Sequence, residues 1–138
     1  MMPSEIKSVD ELPLLFSNQS GFAAAIKDFV GMFDREIYDI LIFDGKYSAM
    51  VAGILADRMH KCVLDAKKLT DSTLAHKGNA IIVSDVLEKG DEQLELIKRV
   101  ESFGCKVIRV GFIVEDGSFG ARKSKILRKY PFEALITL

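Results

Sequence analysis

Two hydrophobic periods alternate along the chain, and the places where they switch mark out its elements. In residues 21–33 the apolar positions Phe22, Ile26, Phe29, Val30 and Phe33 recur at spacings of three and four, which predicts an amphipathic helix. Residues 38–43 are instead almost continuously apolar, the pattern of a parallel strand buried on both faces. After a polar break at 44–48, the stripe Met50, Val51, Ile54 and Leu55 predicts a helix over 49–59, with Ala49, Ala52, Gly53 and Ala56 small enough to lie close on a sheet. Residues 61–65 read as a short second strand. The stretch 81–103 organises the rest. It opens on Ile81, Ile82, Val83 and Ser84 as a doubly buried strand, turns polar at Asp85, passes Gly90, and continues into a helix striped by Leu94, Ile97, Val100 and Phe103. Residues 106–114 form the longest strand candidate and 132–138 a final one. Residues 1–20 carry Pro3, Pro13 and a patch of Leu12, Leu14, Leu15 and Phe16, read as an irregular arm or short helix on the body.

Strands and helices thus alternate throughout. The pattern predicts an α/β fold, a three-layer sandwich around a mainly parallel sheet, with ligands at the carboxyl ends of the strands. A length of 138 residues, 49% of them hydrophobic, suits a single domain with the arm at its start. Charge narrows the partners. A net charge of -1 without a long like-charge block argues against a nucleic-acid tail or a polybasic membrane surface. The start lacks a basic, apolar leader and no stretch is long enough to span a bilayer, so the expected location is cytoplasmic. Cys62 and Cys105 fit no metal-ligand spacing and read as structural or free thiols; no metal-ligand set is expected.

The candidate chemistry sits at two turns. A strand, a glycine loop and a helix in 81–103 place backbone N–H groups at a helix N-terminus, where an anion can be held. This stretch resembles the motif with which type I phosphoribosyltransferases bind 5-phosphoribosyl 1-diphosphate (PRPP). In that family an apolar strand ends in two acids, followed by a Thr- and Gly-rich loop that wraps the sugar 5′-phosphate. Here Ser84 and Asp85 match the acidic pair, and Glu88, Lys89, Gly90, Asp91 and Glu92 match the phosphate loop. Asp44, Gly45, Lys46, Tyr47 and Ser48 correspond to the pyrophosphate loop, for which an ordinary turn with Ser48 as helix cap is the alternative. Lys67 and Lys68 match a basic pair that reaches the pyrophosphate in the orotate enzymes.

Over about residues 38–138 the likeness is to the orotate phosphoribosyltransferases above all. It implies transfer of a 5-phosphoribosyl group from PRPP to a nitrogenous base, in nucleotide metabolism of the pyrimidine kind. Asp85, Lys67 and Lys68 would be catalytic: Asp85 for the ribose hydroxyls and their hydrated Mg²⁺, the lysines together with Lys46 for the pyrophosphate. Mg²⁺ would arrive with PRPP, and the protein would be a homodimer. Departures from the family are also legible. Residues 69–76 are too short for the mobile catalytic loop, His76 being a surface residue or its remnant, and Asp116 stands at a turn where the orotate enzymes follow an acid with an arginine, a place Arg122 could fill.

The phosphate loop differs most, because Glu88, Asp91 and Glu92 surround it. A like-charge pair at ~4 Å costs about 4 kcal/mol at an effective dielectric of ~20. Those acids also complement the helix dipole, and Asp91 is positioned to cap the helix, so the loop is expected to supply its own anion. Two readings stand side by side: a working transferase, and a catalytically inactive homologue that binds a nucleotide or a partner as a regulatory subunit. A receiver-like domain with Asp44 or Asp85 accepting phosphate is a third, against which the lack of an early acidic cluster counts.

Overall fold

The structure, a computed structural model, describes residues 1–121 and 130–138. Five parallel strands form one sheet in the order β2-β1-β3-β4-β5: β1 (Ile40–Phe43), β2 (Cys62–Asp65), β3 (Asn79–Leu87), β4 (Lys106–Glu115) and β5 (Phe132–Thr137). The runs of Ile, Leu and Val that marked β1, β3 and β4 are buried on both faces because helices cover both. One layer packs α1 (Leu12–Phe16), α2 (Gln19–Phe33) and α3 (Lys46–Met59) on Leu41, Ile81, Val83 and Ile113. The opposite layer packs α4 (Asp71–Leu74) and α5 (Asp91–Ser102) on Ile40, Ile42, Ile82 and Phe112. The three-layer α/β sandwich is therefore present.

The arm is part of the core. Its two 3₁₀ turns, Pro3–Glu5 and Val9–Glu11, lead into α1 and bury Ile6, Leu12 and Leu15. At α2 the Asn18 side chain accepts from the Gly21 amide at 2.9 Å and starts the helix three residues ahead of its apolar stripe. Gly111 admits α2 to the sheet, since a Cβ there would lie 2.6 Å from Cζ of Phe33.

Three boundaries differ from the pattern reading, each for a physical reason. The helix α3 begins at Lys46, because Gly45 is its N-cap; Ser48 is the third helical residue, its hydroxyl receiving the Gly45 amide at 2.8 Å. Ser48 is thus no N-cap, and Lys46, Tyr47 and Ser48 are a helical turn where a loop was expected. The strand β3 runs on through Asp85 to Leu87, held by pairing with β4 at Val86↔Val114 and Leu87↔Glu115. Polarity changes at Asp85; backbone pairing does not. On α5 the buried positions are Gln93, Leu96, Ile97 and Val100, with Leu94 and Phe103 only partly covered, so the helix is turned towards Leu96.

Cys105 is buried and Cys62 exposed, both as free thiols. His76 is exposed, with a left-handed φ of 63° in the connection after α4.

Candidate functional site

Strand order reverses between β1 and β3, and in open α/β sheets that reversal opens a crevice at the strand ends. Asp44 follows β1 into it, and Ser84 and Asp85 enter it from β3. Neighbouring residues on a strand point to opposite faces, so the two β3 side chains part company. The fully buried Ser84 donates its hydroxyl to the Asp44 carboxylate at 2.7 Å. Asp85 turns towards α3, where it accepts from the Ser48 amide at 2.7 Å and the Tyr47 amide at 3.4 Å.

That second contact corrects the sequence reading of where the chain supplies its own anion. The N-terminus of α3, expected to be open to pyrophosphate, is closed by Asp85. Gly45 allows it, for a Cβ there would stand 2.6 Å from the carboxylate carbon. Next to it the Tyr47 ring stacks on Phe16 at 5.0 Å, with the Lys46 ammonium 5.0 Å from the ring centre. The arm thereby joins the site, a contact that no spacing in the sequence signals.

At α5 the arrangement is the reverse. Gly90 is its N-cap, with a left-handed φ of 89° that glycine adopts without strain, and Asp91 is its first helical residue. The N-cap expected at Asp91 does not form, because Asp91 is already helical and the cap position belongs to Gly90, which has no side chain to offer. The N-terminus opens on a cavity of about 250 Å³ lined by Val86 and residues 88–93. Glu88, Lys89, Asp91 and Glu92 are all exposed around it. Water therefore screens them, and a like-charge pair at ~4 Å costs between about 1 kcal/mol, the bulk-water figure, and the ~4 kcal/mol of a pair near a protein surface.

The crevice gathers some of the expected cations. Lys67 lies on the 3₁₀ turn after β2 and lines a second cavity, of about 240 Å³, with Asp44, Ala66, Glu92, Glu95, Leu96 and Arg99. Lys68 is exposed and lines neither cavity. Arg99 was legible only as one polar position on α5; it donates to the Ala66 carbonyl at 3.0 Å and ties the helix to the lysine turn. Asp116 accepts from the Ser118 amide and hydroxyl within its own turn, and Arg122 lies outside the described residues.

Burial pushes the Asp44 carboxyl above the ordinary aspartate value. Hydrogen bonds from Ser84 and Gln93 oppose this, while the charges of Asp85 and Glu92 add to it.

Neither a protein-family model nor a curated protein sequence matches the chain. Solved structures do. Adenine phosphoribosyltransferase from Thermoanaerobacter pseudethanolicus superposes with a TM-score of 0.77 at 19% identity, over 90% of this chain and 84% of that one. The Giardia lamblia adenine enzyme complexed with 9-deazaadenine gives 0.79 at 17%, over 92% and 84%. Orotate phosphoribosyltransferase from Aeropyrum pernix gives 0.72 at 18%, over 89% and 74%. A parallel sheet with two helix N-termini at its switch point defines an open α/β protein of the kind that takes ligands at its strand ends. Its particular fold is that of the type I phosphoribosyltransferases. The orotate likeness read from the sequence is there, and adenine enzymes match equally well.

Proposed function

We propose that the protein binds a 5-phosphoribosyl ligand in the β1/β3 crevice and acts as a phosphoribosyltransferase-type nucleotide-binding protein. One observation carries this reading: the α5 N-terminus, with Gly90 as its cap, opens on a cavity of about 250 Å³ and has no capping side chain, whereas the α3 N-terminus is filled by Asp85. A 5′-phosphate at α5 gains the helix dipole and the free amides of the first turn, with Lys89 beside it. The sugar then extends towards Asp44 and Lys67.

The second reading, transfer of the 5-phosphoribosyl group from PRPP to a base, is favoured by Lys67 and Lys46 flanking the crevice as cations for a departing pyrophosphate. Adenine and orotate enzymes match alike, so both bases are candidate acceptors. A second copy of the chain is the partner this reading adds. Mg²⁺ would come with the diphosphate and neutralise it. The side chains do not fit it as they stand, since Asp85 faces backbone amides and Asp44 receives Ser84. Among the described residues no group of three or more His, Cys, Asp or Glu is placed to hold a metal.

Calorimetric titration with ribose 5-phosphate, AMP, UMP and PRPP, with and without Mg²⁺, separates the readings when combined with a pyrophosphate-release assay on adenine and orotate. Binding of the monophosphates without pyrophosphate release supports the nucleotide-binding protein. Release with either base establishes the transferase. If none of the four ligands binds at millimolar concentration, both readings fail.

A further inference from the structure

We infer that Asp85 is a specificity-determining residue: its carboxylate is a built-in anion that holds the second anion site of the crevice shut, and so selects ligands with a single phosphate over ligands that also carry a 1-diphosphate. The inference rests on the proposed binding of a sugar 5-phosphate at α5 and names the ligand class that site takes. Three observations on different elements converge on it. The Ser48 amide donates to Asp85 at 2.7 Å and the Tyr47 amide at 3.4 Å, so the donors that a diphosphate would need at α3 are spent. Gly45, with an extended backbone that any residue adopts, leaves its Cβ position to the Asp85 carboxylate, whose carbon and two oxygens would all lie within 2.7 Å of an added Cβ. The strand β3 continues through Asp85 to Leu87, fixing that side chain on the α3 face by backbone pairing with β4.

The groups that face Asp85 add to the selection. Asp44, across the switch point, contributes like charge, and Ser48 is committed twice, by its amide to Asp85 and by its hydroxyl to Gly45. A diphosphate entering here must displace one carboxylate and lie beside another. A ligand with only a 5-phosphate needs neither step, since α5 lies on the other face of the sheet from α3.

The test compares ribose 5-phosphate with PRPP on the full chain and on Asp85→Asn, which removes the charge and keeps one oxygen for the Ser48 amide. The readout is the ratio of the two dissociation constants. In the native protein ribose 5-phosphate binds at least as tightly as PRPP, and in Asp85→Asn the ratio shifts towards PRPP by about tenfold or more, equivalent to about 1.4 kcal/mol. A ratio that is unchanged, or that moves away from PRPP, overturns the inference while ribose 5-phosphate binding keeps the proposed function. Loss of ribose 5-phosphate binding in the native protein overturns both. Should Asp85→Asn fail to fold, the native protein still decides: backbone amide resonances of Tyr47 and Ser48 stay in place when ribose 5-phosphate saturates the site. PRPP binding more tightly than ribose 5-phosphate, or a shift of those two resonances when ribose 5-phosphate binds, sinks the inference.

Discussion

Gly45 and Asp85 stand so close that a Cβ on the glycine would lie 2.6 Å from the carboxylate carbon. The two are forty residues apart in sequence and join the first turn of α3 to the end of β3. Gly45→Ala is expected to cost about 1–3 kcal/mol, the usual penalty for forcing a methyl into filled space. Because the backbone of Gly45 is extended, that cost is steric. Chemical denaturation of the single and double variants with Asp85→Ala gives a coupling of about 0.5–3 kcal/mol, the alanine at 45 being better tolerated once the carboxylate is gone. Equal costs in both backgrounds would show that the contact is not made.

Asp44 makes stability depend on pH in a direction opposite to that of a salt-bridged acid. Burial raises its folded-state value above that of the unfolded chain. As pH climbs between the two values, the unfolded chain has already released the proton while the folded one still holds it, so stability falls with rising pH. Asp44→Asn keeps an oxygen for the Ser84 hydroxyl and removes that loss. Its melting temperature should exceed the native one at pH 7, by ~2–4 °C per kcal/mol recovered in a domain of this size. The gap should close near pH 3, and a gap that stays constant with pH refutes the assignment.

Tyr38 gives a spectroscopic check on the core. Its hydroxyl donates to the Met59 sulfur at 3.3 Å, and burial pushes its ionisation up to about 12. Ultraviolet titration should show a late tyrosine step near that value, absent in Tyr38→Phe. The neutral form is the one the fold favours, so this contribution is complete below pH 10 and is lost as pH rises towards 12.

Charges around the α5 cavity should tune phosphate binding without altering the fold, because Glu88, Lys89 and Glu92 are exposed. Glu88→Gln and Glu92→Gln are each expected to tighten ribose 5-phosphate binding by up to about fivefold at low salt, and Lys89→Gln to weaken it similarly, following a Coulomb energy of ~1 kcal/mol at ~4 Å in water. All three effects should vanish in ~1 M salt, where the Debye length is ~3 Å. Calorimetry at two salt concentrations decides it.

Phe33 is fully buried against Gly111 and Phe29, at 5.8 Å between ring centres. Phe33→Ala should destabilise by about 3–5 kcal/mol in equilibrium unfolding. A smaller loss would show that α2 can slide to fill the space.

Much of this architecture was legible because burial imposes a period. The stripe of Ile26, Phe29 and Phe33 announced α2, and the largely apolar runs of 38–43 and 106–114 announced strands covered on both faces. The phosphate-loop frame was legible too, since Gly90 before a striped helix is a local signal. What misled was polarity at element ends. Asp85 looked like the end of a strand because its side chain is polar, and Lys46, Tyr47 and Ser48 looked like a loop because a helix N-terminus is also polar. Leu96 was missed for a different reason: a helix with apolar residues at both 94 and 96 has two faces to offer, and only the sheet chooses between them.

The sequence by itself determined the order of elements, the doubly covered parallel sheet and the two glycine turns at which anions can be held, all consequences of spacing and residue size within short windows. Which turn is filled by the chain's own carboxylate was decided only by the tertiary structure. The acids that flank the start of α5 in sequence, Glu88, Asp91 and Glu92, remain exposed, and the one that closes the N-terminus of α3 is Asp85, thirty-seven residues from the Ser48 amide it meets. Sheet pairing between β1 and β3 brings that carboxylate to those donors. A hydrogen bond depends on distance in space, and the spacing of residues along a chain does not encode it.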